Sequence, residues 1–194
     1  MTKKAALMGI VTCAAYFLSM GLFLAAKTEL SLTIWEMMTV ISGPVVLIVL
    51  IALAETVATP PNNQKAMIAF MSCACALTGA AHIINITVTR ALIREGVDVP
   101  TWFQIGCWPS VEMAADYLAW GFFTGLAFLC AALPLGSADR ARARIKRIAL
   151  VCAALCIAGF VGGAFINENL WYIAPMGYGI GLLVLCVMIR RVSE

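Results

Sequence analysis

The chain has 194 residues, of which 63% are hydrophobic and only 12% charged, with a formal net charge of +3. A soluble domain is roughly half apolar and a quarter charged, so a water-soluble globule is excluded, and the short polar connections leave no room for a second domain. The excess lies in runs of the roughly 20 apolar residues that cross a bilayer as a helix, where open strands would leave backbone groups unsatisfied. The expected fold is all-α: a single bundle of six transmembrane helices over about 5–26, 34–58, 66–89, 111–134, 147–166 and 171–189.

The first run follows Lys3 and Lys4 and reaches Leu24-Ala25-Ala26, which resembles a signal peptide. Its apolar stretch is longer than the 7–15 residues or so of a signal core, so it is expected to stay as a helix. It offers Thr12, Tyr16 and Ser19, and a small-residue stripe, Ala5-x-x-x-Gly9-x-x-x-Cys13. The second run carries Glu36 and Thr39 near its start, then Ser42-Gly43-Pro44, where proline frees a carbonyl and glycine admits close approach. Glu55 at its other end is expected to reach toward headgroups.

The third run places Thr78, His82, Asn85 and Thr89 at spacings of 4, 3 and 4, one polar stripe on an apolar helix. Arg90 is expected to pair with Glu112 or to lie at the interface. The connection ALIREGVDVPTWFQIGCWPS, residues 91–110, reads as a folded lid. Pro109-Ser110 then opens the fourth run, where Glu112, Asp116 and Trp120 share one face at i, i+4 and i+8. Asp116 lies about two turns into this helix and His82 about two turns from the matching end of the third. Helices joined by a short loop pack side by side, so the two are expected to meet. A carboxylate at this depth needs a partner or a wet cavity, whereas Glu112 in a first turn is already favoured by the helix dipole.

RARARIKR, residues 140–147, reads as a solvated loop against headgroups; nucleic-acid binding is not expected, because topology accounts for the charge. The last two runs carry Gly159-x-x-x-Gly163 and Gly177-x-x-x-Gly181, contacts suited to close helix packing or to a partner subunit or second copy. With both termini in the cytoplasm, only Lys27, Arg90 and Arg94 of the 13 Lys and Arg fall outside, as the positive-inside rule requires. The expected location is a cell membrane, multi-pass, of the bacterial inner-membrane kind. Seven of the eight cysteines fall within the runs and there is no Cys-x-x-Cys, so neither a disulfide framework nor thiol exchange is expected.

All five tryptophans, Trp35, Trp102, Trp108, Trp120 and Trp171, lie in the outer half. No lysine stands mid-helix to hold retinal, one histidine cannot make a bis-histidine haem site, and no zinc-protease or phosphate-loop motif occurs. No cofactor and no metal are therefore expected. What remains is an outward pocket formed by His82, Asn85, Glu112, Asp116, Trp120, Glu36 and Trp108. Tryptophan faces and carboxylates attract cations, so the expected ligand is a small organic cation or an amphipathic molecule, bound or transported. In size, helix number and outward pocket the chain resembles the substrate-binding subunits of energy-coupling-factor vitamin transporters. That resemblance is one of architecture and implies docking to a larger transporter. The alternative is an intramembrane isomerase or cyclase in which His82, Asp116 and Glu112 do acid–base work on a lipid-soluble substrate.

Overall fold

The computed structural model describes residues 2–135 and 139–192. Helix makes up 87% of it, and no strand occurs among the described residues. Six helices follow in order: α1 Thr2–Ala26, α2 Glu29–Thr56, α3 Pro61–Arg94, α4 Val111–Ala132, α5 Arg140–Phe165 and α6 Glu168–Val192. Each is long and apolar enough to cross a membrane. They pack as a closed ring in chain order, α6 returning onto α1, while α2 also touches α4 and α6 across the middle. The ring's outer surface is apolar: Val11, Leu18, Leu24, Ile41 and Val151 are all exposed.

Local chemistry sets the helix ends. Thr28 caps α2 reciprocally with Ser31, each side chain taking the other's backbone N–H, so α2 starts at Glu29, earlier than its apolar run. Pro61 opens α3 at a position that needs no amide hydrogen. Ser110 caps α4 by accepting from the Met113 amide at 3.1 Å. RARARIKR is not a loop but the start of α5. Asp139 accepts from the Ala141 amide at 2.9 Å and lies 3.5 Å from the Arg142 guanidinium. Alanine and arginine then propagate the helix well. Within it, Lys146 is buried and donates to the Pro134 carbonyl at 2.8 Å.

α1 starts beside the end of α2, where the Thr2 hydroxyl reaches Glu55 at 3.5 Å. The opposite, distal end of the bundle carries residues 27–28, 95–110 and 166–167. In the 95–110 connection a short helical turn at Thr101–Phe103 is pinned by Gln104, whose amide donates to the Val99 carbonyl at 2.6 Å.

All three small-residue stripes are filled by the chain's own helices. Gly9 faces Cys186 and Val49, Gly159 and Gly163 face Ala174 and Trp171, and Gly177 and Gly181 face Cys152. Three helices also contain a π-helical turn: Asn85–Thr89 in α3, Leu118–Phe123 in α4 and Met176–Gly181 in α6. Such a turn inserts an extra residue and rotates the side chains beyond it, and it is common at functional sites.

Candidate functional site

The stripe on α3 faces inward throughout, with Thr78, His82, Asn85 and Thr89 all buried. His82 sits between carboxylates from two other helices. Its Nδ1 lies 3.6 Å from Glu36 Oε1 on α2, and its Nε2 lies 3.5 Å from Asp116 Oδ1 on α4. Neither contact is a completed hydrogen bond. Side-chain exposure is 8% for His82, 2% for Glu36 and 15% for Asp116.

Each carboxylate already has donors. Asn85 Nδ2 donates to Glu36 Oε1 at 2.5 Å, and the Arg90 guanidinium is ion-paired with Glu36 Oε2. Arg90 is fixed by a second donation, to Thr33 Oγ1 at 2.6 Å. On the other side the Thr78 hydroxyl donates to Asp116 Oδ1 at 2.7 Å, and Trp120 Nε1 donates to Thr78 Oγ1 at 2.9 Å. The oxygens facing the imidazole are thus acceptors, and a ring between two acceptors is satisfied on both sides only with both nitrogens protonated. Charge points the same way. Arg90, Glu36 and Asp116 alone carry a surplus negative charge, which burial penalises heavily; one proton on His82 makes the set neutral.

Glu112 and Trp108 make no hydrogen bond or ion pair with this set among the described residues. Glu112 is buried and takes a hydrogen bond from Thr89 at 3.2 Å. Trp108 stacks on Tyr117, with centroids 4.9 Å apart, and Tyr117 stacks on Trp171 at 4.1 Å. Trp120 packs its ring against Tyr178 at 5.0 Å. The tryptophans therefore use ring faces on neighbouring rings rather than holding them open to a cation. Arg90 pairs with neither Glu112 nor the interface but with Glu36, because α3 continues to Arg94 and its π turn carries Arg90 into the bundle.

Two cavities flank the polar set. A slot of about 40 Å³ lies between α1, α2, α4 and α6, walled by Tyr16, Phe17, Val45, Trp120 and Tyr178. An open cleft of about 300 Å³ lies at the distal end between α1, α2 and α3, and Arg90 forms part of its wall. The groups Arg90–Glu36–His82–Asp116–Thr78–Trp120 thus span from cleft to slot, joined by an ion pair and hydrogen bonds except at His82, which stands 3.6 Å and 3.5 Å from its two neighbours.

Arg90, Thr78 and Tyr178 join the site in the structure, beyond the residues expected from sequence. Thr78 was visible as a member of the α3 stripe. Tyr178 lies in a glycine-rich segment, Gly177-Tyr-Gly-Ile-Gly181, that reads as packing alone. No group of three or more His, Cys, Asp or Glu among the described residues is placed to hold a metal ion. Comparison with models of known protein families, with curated protein sequences and with solved structures finds no match to this chain.

Proposed function

We propose that the chain is a multi-pass membrane protein that binds and moves a small amphipathic molecule, and that the Glu36–His82–Asp116 set carries a proton coupled to that movement. The observation that carries this reading is the polar chain from an end-facing cleft to an internal slot, interrupted only at a protonatable ring that stands between two acceptors at its centre. A histidine 3.5 Å from one carboxylate and 3.6 Å from another, hydrogen-bonded to neither, can shift toward either as charge changes nearby. Ionisable groups inside a helical bundle are costly, and they typically form solute or proton pathways.

The basic residues support an orientation with both termini in the cytoplasm and the cleft outside. In a background with Cys107 replaced by serine, single cysteines introduced near Asp98 are expected to react with an impermeant thiol reagent in whole cells, and cysteines near Arg144 only after lysis. The reverse pattern would overturn the orientation.

The function is tested in proteoliposomes with an entrapped pH dye, presented with decanesulfonate or decyltrimethylammonium below their micellar concentrations. Both probes are permanently charged and carry no proton of their own. At least one is expected to produce a dye response above that of protein-free liposomes, and His82→Gln is expected to abolish it. No response to either probe, or an equal response from His82→Gln, would contradict the proposal. A second reading, an acid–base enzyme acting on a lipid-soluble substrate, has the apolar slot beside Trp120 in its favour. It predicts turnover of such a substrate with no net proton movement.

A further inference from the structure

The distal cleft has an unexpected electrostatic character. On the proposed orientation Lys27, Arg90 and Arg94 are the only external basic residues, and all three line this one cleft, on α1's exit and on α3. Glu29 is the only acidic residue in its wall, and Phe23, Leu32 and Ile93 supply apolar surface. Its volume of about 300 Å³ reaches the lower end of small-molecule sites, roughly 300–1,000 Å³.

Snorkelling to the interface accounts for an exposed arginine or lysine, and Arg94, 63% exposed, fits that description by itself. It does not account for Arg90, whose side chain is 11% exposed and ion-paired inside the bundle. Lys27 is exposed, like Arg94, and its φ of 50° is the left-handed cap that ends α1, its N–H donating to the Phe23 carbonyl at 2.8 Å. The three cations face two carboxylates, Glu29 and Glu36, so the cleft keeps a surplus positive charge. Glu29 is 55% exposed and 3.4 Å from Arg94, a contact weak enough to yield to a ligand. An organic cation would find both acids already engaged by guanidinium groups. An anion would find Lys27 and Arg94, with Arg90 behind them.

We infer that this cleft binds an amphipathic anion, a sulfonate, phosphate or carboxylate head on an apolar tail, with Lys27 and Arg94 holding the head and Phe23, Leu32 and Ile93 the tail. The inference rests on the binding-and-transport reading and names its ligand class. It also supplies the coupling. A second anion beside Arg90 competes with Glu36 for the guanidinium. Glu36 then turns toward His82 Nδ1 and takes the proton from that nitrogen, leaving a neutral ring whose Nε2–H faces Asp116. The same head chemistry is carried by an anionic membrane lipid and by a free amphipathic solute.

The test is calorimetric titration of decanesulfonate, below its micellar concentration, into the full-length protein in phosphatidylcholine nanodiscs. Saturable binding is expected, with no matching isotherm for decyltrimethylammonium. The Lys27→Gln/Arg94→Gln double variant removes two exposed charges and leaves the buried set intact, and it is expected to bind at least about tenfold more weakly. Repeating the titration in phosphatidylglycerol nanodiscs separates the two sources. A shift of about tenfold to weaker apparent binding supports the site with a lipid headgroup as occupant, and an unchanged curve supports it with a free solute. Absence of decanesulfonate binding, equal binding by the double variant, or preference for the cation would overturn the inference. This readout needs no proton movement, so a failed dye experiment leaves it standing, and its own failure leaves the proton reading standing.

Discussion

Arg90→Met is expected to destabilise the protein by about 3–5 kcal/mol, the largest single effect of any side chain in the site. Glu36 is 2% exposed, and Arg90 is its ion-pair partner. Methionine keeps much of the aliphatic stem but leaves the carboxylate with Asn85 and a histidine it shares with Asp116. Breaking one half of a buried pair strands the other charge, whereas removing both halves does not. Arg90→Met combined with Glu36→Gln is therefore expected to recover most of the loss. Thermal unfolding in mild detergent checks this. A single variant within about 1 kcal/mol of the parent, or a double variant as poor as the sum of its parts, would show that the pair is not what holds Glu36.

Asp116→Asn is expected to abolish the proton-coupled dye response while the protein still folds. Asparagine keeps an oxygen for the Thr78 hydroxyl, 2.7 Å from Oδ1, so the link from Trp120 through Thr78 survives. What disappears is the negative charge facing His82 Nε2. The set is then neutral without a proton on His82, and the coupled proton has no site. Glu112→Gln is expected to weaken the response only in part, because Glu112 is held by Thr89 and not by the histidine. Full activity in Asp116→Asn with loss in Glu112→Gln would reverse this ranking of the two carboxylates.

The helices were legible because each contains an apolar run of the length that a membrane span requires. Their ends were less so: α2 extends back to Glu29 through a Thr28–Ser31 cap, and α5 back to Arg140 through Asp139, both in polar sequence outside the apolar runs. Depth along a helix could be read as well. His82 and Asp116 do lie level in the fold, although α3 runs on to Arg94 and so puts His82 about three turns from its end rather than two. Azimuth could not. Which neighbour a residue faces depends on rotation about the axis, and the π turns at Asn85–Thr89 and Leu118–Phe123 shift that rotation midway along α3 and α4. No proline marks either turn, neither the Asn-Ile-Thr-Val-Thr of α3 nor the Leu-Ala-Trp-Gly-Phe-Phe of α4. That is why Glu36 and Arg90, separated by 54 positions in the chain, gave no sign of being partners, and why Trp108, placed with the carboxylates on sequence grounds, stacks on Tyr117.

The central claim, that the ring between Glu36 and Asp116 carries an added proton, can be read directly because His82 is the only histidine in the chain. Nitrogen-15 labelling of histidine gives one imidazole spectrum from the protein in bilayers, with nothing to assign. The account predicts that both ring nitrogens carry hydrogen in the parent protein, and that Asp116→Asn converts the ring to a neutral tautomer. A neutral imidazole in the parent, or a spectrum indifferent to the charge at position 116, would contradict it.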